Sequence, residues 1–142
     1  MNALWKIGHS LYLRGGVLRT LSRLFELASF VIGGNAISVK ATIGKNTMFH
    51  HHGVGCVVHD NTVIGSDCHV FQNVTLGSKW SEGVCDGGAP TIGNNVLIGA
   101  GACVLGNITI GNNSVIGANS VVLRDVPENS TVVGVPGVIK DD

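Results

Sequence analysis

From Thr91 to Val126 the apolar positions recur every sixth residue: Ile92, Ile98, Val104, Ile110, Ile116 and Val122, with Gly93, Gly99, Gly111 and Gly117 following four of them. Four positions after each aliphatic residue stands Val96, Ala102, Ile108, Ser114, Ser120 or Val126, so a second inward position is small or β-branched. A helix would need apolar residues at three- and four-residue spacing. Here Gly-Asn-Asn and Gly-Ala-Asn interrupt at every turn, and they favour positive φ. A six-residue unit of one short strand and one turn cannot bury its aliphatic side chain alone, but stacked units bury a continuous column. Three such units close a triangular coil of eighteen, so the pattern predicts an all-β solenoid.

Running backward, Leu76, Val70, Ile64 and Val58 keep the six-residue step, and Ile37, Ile43 and Phe49 keep it again in a different register. Between Phe49 and Val58 lie nine residues where six would fit, which predicts a three-residue bulge within His50-His51-His52-Gly53-Val54-Gly55. Residues 78–90, polar and containing Trp80, interrupt the pattern a second time and predict a loop extruded from the solenoid, where such scaffolds carry specificity. Before Gly33-Gly34-Asn35 the spacing of Leu4, Ile7, Leu11, Leu18, Leu21, Phe25 and Ala28 predicts helix, broken at Gly15-Gly16. The expected division is a helical segment 1–35 and a solenoid 36–142.

The composition fits that division, with 21 glycines and only 13% charged residues among 142. Zero net charge gives no reason to expect nucleic acid, but the charge is unevenly placed. Lys6, Arg14, Arg19 and Arg23 face only Glu26 in the first 35 residues. Two roles compete for that basic amphipathic segment: packing as a cap on the open end of the solenoid, which is favoured, and lying on an anionic membrane surface. No signal peptide or spanning segment is evident, and the four cysteines lack zinc-ligand spacing, so a reduced, cytoplasmic protein is expected, with peripheral membrane contact left open. Cys56 and Cys68, twelve apart at inward positions, read as small core residues.

The chemistry-bearing residues are the histidines. Five of six, His50, His51, His52, His59 and His69, fall within twenty residues. Zinc is the first reading of such a cluster, but no Cys or carboxylate ligand stands at useful spacing, and no metal is expected. The second reading is a single imidazole acting as a base near neutral pH. His9, His50, His59 and His69 read as exposed turn residues.

These motifs resemble the hexapeptide-repeat acetyltransferases, whose fold is a left-handed parallel β-helix; the likeness runs from about Ile37 to the C-terminus. Ile43-Gly44 through His51, Gly53, Gly55 and Cys56-Val57-Val58 is similar to the catalytic segment of the serine acetyltransferase group and its polysaccharide-locus relatives. Val74-Thr75-Leu76-Gly77, Ile98-Gly99-Ala100-Gly101-Ala102 and Ile116-Gly117-Ala118-Asn119-Ser120 are similar too. The resemblance implies acetyl-coenzyme A as co-substrate, a homotrimer, and His51, or counting back from Cys56 His52, as general base. It also implies a coenzyme groove lined by Gly77, Ala100 and Ala118, with Arg124 near the phosphates. Several positions depart from serine acetyltransferases. Ala36 stands where an Asp orients the His, His50 (or His51) where an Asp precedes it, Gly88-Ala89 where an Arg-His pair grips the amino acid, and Val138 in place of an Arg. Asn35 or a backbone carbonyl is the expected substitute for the orienting Asp. A sugar hydroxyl, in capsule, lipopolysaccharide or exopolysaccharide synthesis, would not need the missing charges, and is the expected acceptor. Free serine, feeding cysteine synthesis, is the alternative, and an inert β-helix binding module is the reading from another class.

Overall fold

The computed structural model describes residues 3–81, 83–85 and 87–140. Two helices, α1 (Ala3–Arg14) and α2 (Gly16–Gly33), precede a prism of three parallel sheets. The first sheet stacks Ala36–Ile37, Val57–Val58, Thr75–Gly77, Cys103–Leu105 and Val121–Val122; the second, Thr42–Ile43, Val63–Ile64, Thr91–Ile92 and Thr109–Ile110. The third begins with Met48–Phe49, His69–Val70, Leu97–Ile98, Val115–Ile116 and Thr131–Val133. It ends on Val138–Ile139, which turns back antiparallel.

Every aliphatic residue of the six-residue series from Ile92 to Val122 is buried, as are Ile37, Phe49, Val58, Ile64, Val70 and Leu76, so the columns predicted from spacing form the core. Strand register measures both interruptions. Thr91 pairs with Thr109 and Cys103 with Val121, eighteen apart. Ala36 pairs with Val57, twenty-one apart, which is the three-residue bulge. Val63 pairs with Thr91, twenty-eight apart, so ten residues lie outside the coil. Those residues form an antiparallel hairpin, Trp80–Ser81 with Val84–Cys85, and Trp80 projects into solvent.

The corners explain the Asn and Gly content. Asn46, Asp67, Asn95, Asn113 and Asn129 stack at the corner between second and third sheets, all with φ between 55° and 59°. Asn tolerates that left-handed geometry because its short amide bonds locally. The amides also bond along the column: Asn46 Nδ2 donates to Asp67 Oδ1, Asn95 Nδ2 to Asn113 Oδ1, and Asn113 Nδ2 to Asn129 Oδ1, each at 3.0 Å.

The helices cap the N-terminal end of the prism, the favoured of the two roles. Trp5, 4% exposed, joins the core and donates its indole N–H to the Ser38 carbonyl at 2.8 Å. Gly15, at φ 72°, separates the helices where the Gly pair predicted a break. The inward face of α2 differs from the apolar spacing, which favours Leu18 and Leu21. The residues buried are Ser22 and Ser29, with Glu26 accepting from the Val39 N–H at 2.8 Å. The first coil has no coil before it to pair with, and Glu26 on α2 satisfies the buried Val39 N–H of the turn that follows its first strand.

Candidate active site

The bulge lies between strand Met48–Phe49 of the third sheet and Val57–Val58 of the first, as a single turn at His50–Gly53. His51 (φ 51°) and His52 (φ 59°) both adopt left-handed backbone, so consecutive side chains are thrown off the prism rather than alternating in and out. Three observations fix the turn. Val54 N–H donates to the His51 carbonyl at 3.2 Å, and Asn35 Nδ2 donates to the His52 carbonyl at 3.3 Å. Asn35 is itself buried and accepts from Ser29 Oγ at 2.8 Å.

Asn35 therefore positions the backbone of the turn and not a ring. Both His51 and His52 are exposed in the single chain, and neither ring has a hydrogen-bond partner among the described residues. They line a recess of about 440 Å³ with Leu4, Ile32, Gly33 and Val54. Among the described residues no carboxylate, lysine or arginine lines it.

Three other histidines are not the exposed turn residues expected from the sequence. His9 lies on α1, stacked on Trp5 at 4.6 Å, and its Nδ1 is 2.7 Å from the Val39 carbonyl. A carbonyl only accepts, so Nδ1 carries the proton. His50 is half-buried, stacked on Phe71 at 4.4 Å, with Nε2 2.9 Å from His69 Nδ1. It anchors the entry to the turn. Its partner stands nineteen residues away, a pairing visible only once Met48 is seen to lie beside His69. His59 does sit in a turn, accepting from the Asn61 N–H at 3.2 Å. His69 is exposed but lies on a strand of the third sheet. Among the described residues no three His, Cys, Asp or Glu side chains converge as a metal site would require.

The four residues expected along a coenzyme groove fall on two edges of the first sheet. Ala100 and Ala118 share the edge that carries the histidine bulge, one coil apart, with Asn119 N–H donating to the Ala100 carbonyl at 2.9 Å. Gly77 and Arg124 share the opposite edge, where the hairpin leaves the prism; Arg124 is exposed beside Asp125. Gly77 is informative because its own chain does not require it. A Cβ built there would meet nothing nearer than Leu105 Cδ2 at 3.8 Å, an ordinary contact. At Gly99 the same atom would come within 2.6 Å of the Ala118 nitrogen. Gly99 serves coil stacking, whereas Gly77 leaves open surface.

The family description "Bacterial transferase hexapeptide (six repeats)" matches residues 89–124. The chain is 45% identical over 139 residues to serine acetyltransferase of Bacillus subtilis, covering 96% of this chain and 62% of the relative. The solved serine acetyltransferase of Neisseria gonorrhoeae superposes with a TM-score of 0.86 at 39% identity, covering 96% of this chain and 51% of that one. The chain thus carries the hexapeptide repeat of the bacterial transferases and is similar to serine acetyltransferases along nearly all of its own length. A serine acetyltransferase solved in complex with CoA also superposes, with a TM-score of 0.84 at 37% identity over 96% of this chain and 54% of the other. The prism is thus the left-handed parallel β-helix of that group. This hexapeptide-repeat chain spans only about half to three fifths of the length of these relatives.

Proposed function

We propose that the chain transfers acetyl from acetyl-coenzyme A to the hydroxyl of a small acceptor, with L-serine as the first acceptor to test. In this reading His51 takes the hydroxyl proton while the oxygen attacks the thioester carbonyl; the C–S bond then breaks, and the imidazolium returns the proton to the departing thiolate. A backbone N–H beside the turn stabilises the oxyanion of the tetrahedral intermediate. The observation that carries the proposal is the bulge itself. It places two imidazoles on a firmly bonded turn, at the same edge as Ala100 and Ala118. Similarity to serine acetyltransferases over 96% of the chain supports serine.

The coenzyme would lie along the first sheet between its two edges, with small residues at Gly77, Ala100 and Ala118 permitting close approach and Arg124 meeting phosphate. A groove that uses both edges needs a second wall, which a homotrimer supplies. Light scattering should return a mass about three times that of one chain.

A second acceptor reading rests on the recess. Its lining by Leu4, Ile32, Val54 and two imidazoles offers serine's ammonium and carboxylate no carboxylate, lysine or arginine among the described residues, which favours an uncharged sugar hydroxyl in polysaccharide assembly. Thiol release from acetyl-coenzyme A, followed with L-serine and with a panel of hexoses, separates the two. His51→Asn and His52→Asn both keep the left-handed backbone. We expect His51→Asn to lower kcat by about 100- to 10,000-fold and His52→Asn to act far less. No turnover with any acceptor, together with no effect of either substitution, would favour an inert binding module.

A further inference from the structure

The corner between the third and first sheets repeats one backbone geometry from coil to coil. Asn73 N–H donates to the Val54 carbonyl at 2.9 Å, Gly101 N–H to the Gln72 carbonyl at 3.0 Å, and Asn119 N–H to the Ala100 carbonyl at 2.9 Å. Gly55, Asn73, Gly101 and Asn119 all hold left-handed φ between 58° and 73°. Val54, Gln72, Ala100 and Ala118 are therefore equivalent, one per coil, in a column that leads away from the histidine turn. Val54 lines the recess with His51 and His52. Gln72 is the next step along, and the only one of the four with a polar side chain.

That side chain is left unpaired. Gln72 is half-buried and its Oε1 is sealed from solvent, yet neither end of the amide has a hydrogen-bond partner among the described residues. A buried acceptor without a donor is costly, and structures seldom keep one without a reason. Thr62 Oγ1 and Ser78 Oγ share the condition, but neither belongs to this column. The terminal torsion of a glutamine is broad, so a modest turn brings Oε1 to the surface between Val54 and Ala100.

The methyl groups of Ala100 and Ala118 leave the rest of the column shallow, a path for a slender arm. Coils stack about 4.8 Å apart, close to the reach from the sulfur of a coenzyme A thioester to the first amide nitrogen of its arm. A thioester held at the level of Val54, beside the histidines, sets that N–H at the level of Gln72.

We infer, on the acetyl-transfer reading above, that Gln72 binds the coenzyme: its Oε1 accepts from the amide N–H nearest the sulfur and so fixes the thioester beside His51.

Calorimetric titration of the full chain with coenzyme A, alongside KM for acetyl-coenzyme A, tests this. Gln72→Leu, similar in size but without the acceptor, should weaken both about tenfold, the effect of one hydrogen bond. Gln72→Glu keeps an accepting oxygen and should stay within about threefold of the parent. Because the amide has no described partner, Gln72→Leu should hold or raise Tm. Equal affinity in Gln72→Leu and the parent overturns the inference, as does a loss in Gln72→Glu as large as in Gln72→Leu. So does a Tm several degrees lower in Gln72→Leu, which would assign the amide to the fold. A parent that neither binds coenzyme A nor turns over acetyl-coenzyme A with any acceptor sinks the proposed function as well, which tells that failure apart from this one.

Discussion

At the scale of single residues, the Asx corner and the buried thiols make the clearest predictions. The amide column is interrupted at Asp67, which accepts from Asn46 but has no N–H to pass on to Asn95, the next residue of the stack. Asp67→Asn supplies that donor, and the expected gain is about 0.5–1.5 kcal/mol, read as a higher Tm. Burial pushes the Cys56 and Cys68 thiols above their ordinary range, against smaller opposing backbone hydrogen bonds from Val74 and Val96. Cys85 and Cys103 are only half-buried. Titration of the native protein with a thiol reagent should therefore show two accessible and two slow cysteines, all four reacting once unfolded. Gly77→Ala makes only ordinary contacts, so Tm should hold while KM for acetyl-coenzyme A rises if the residue lines the groove. Residue-level chemistry was the least legible part of the sequence. Six-residue spacing places His51 and His52 in a bulge, but it cannot show that His50 reaches His69, or that His9 is tied to Val39, because both contacts cross coils or elements.

At the scale of elements, the cap depends on a few polar contacts and one large side chain. Trp5→Ala removes a core residue and its hydrogen bond, and should cost about 3–5 kcal/mol in denaturant unfolding. Beneath the cap, burial raises the Asp60 carboxyl, but hydrogen bonds from Lys40 and Ser38, with the lysine's charge, outweigh it and hold the group below its ordinary range. A depressed carboxylate contributes stability above its unfolded pKa of about 3.9 and loses it as pH falls through the lower native value. Acid unfolding below about pH 4 should thus be shallower in Asp60→Asn than in the parent. The existence of both helices and their break at Gly15 were readable from spacing and glycine. Which side faced inward was not. An apolar stripe is read as the buried face by default, and here it is the polar stripe that meets the open strand ends.

At the scale of the whole molecule, periodicity carried most of the information. A six-residue step fixes which side chain enters the core at every strand, and departures from it gave the place of both insertions, because strand pairing permits only whole coils. What a repeating pattern leaves unstated is anything made by two edges of the prism together, such as the separation of Gly77 and Arg124 from Ala100 and Ala118. The ten residues in excess of a coil that are accommodated between Gly77 and Thr91 illustrate a broader consequence. Pairing resumes beyond them in the same phase, with Leu76 beside Val104 as Val58 is beside Leu76. The scaffold counts in eighteens and ignores the remainder, so the hairpin can be lengthened, trimmed or exchanged as a cassette without the coils on either side losing step.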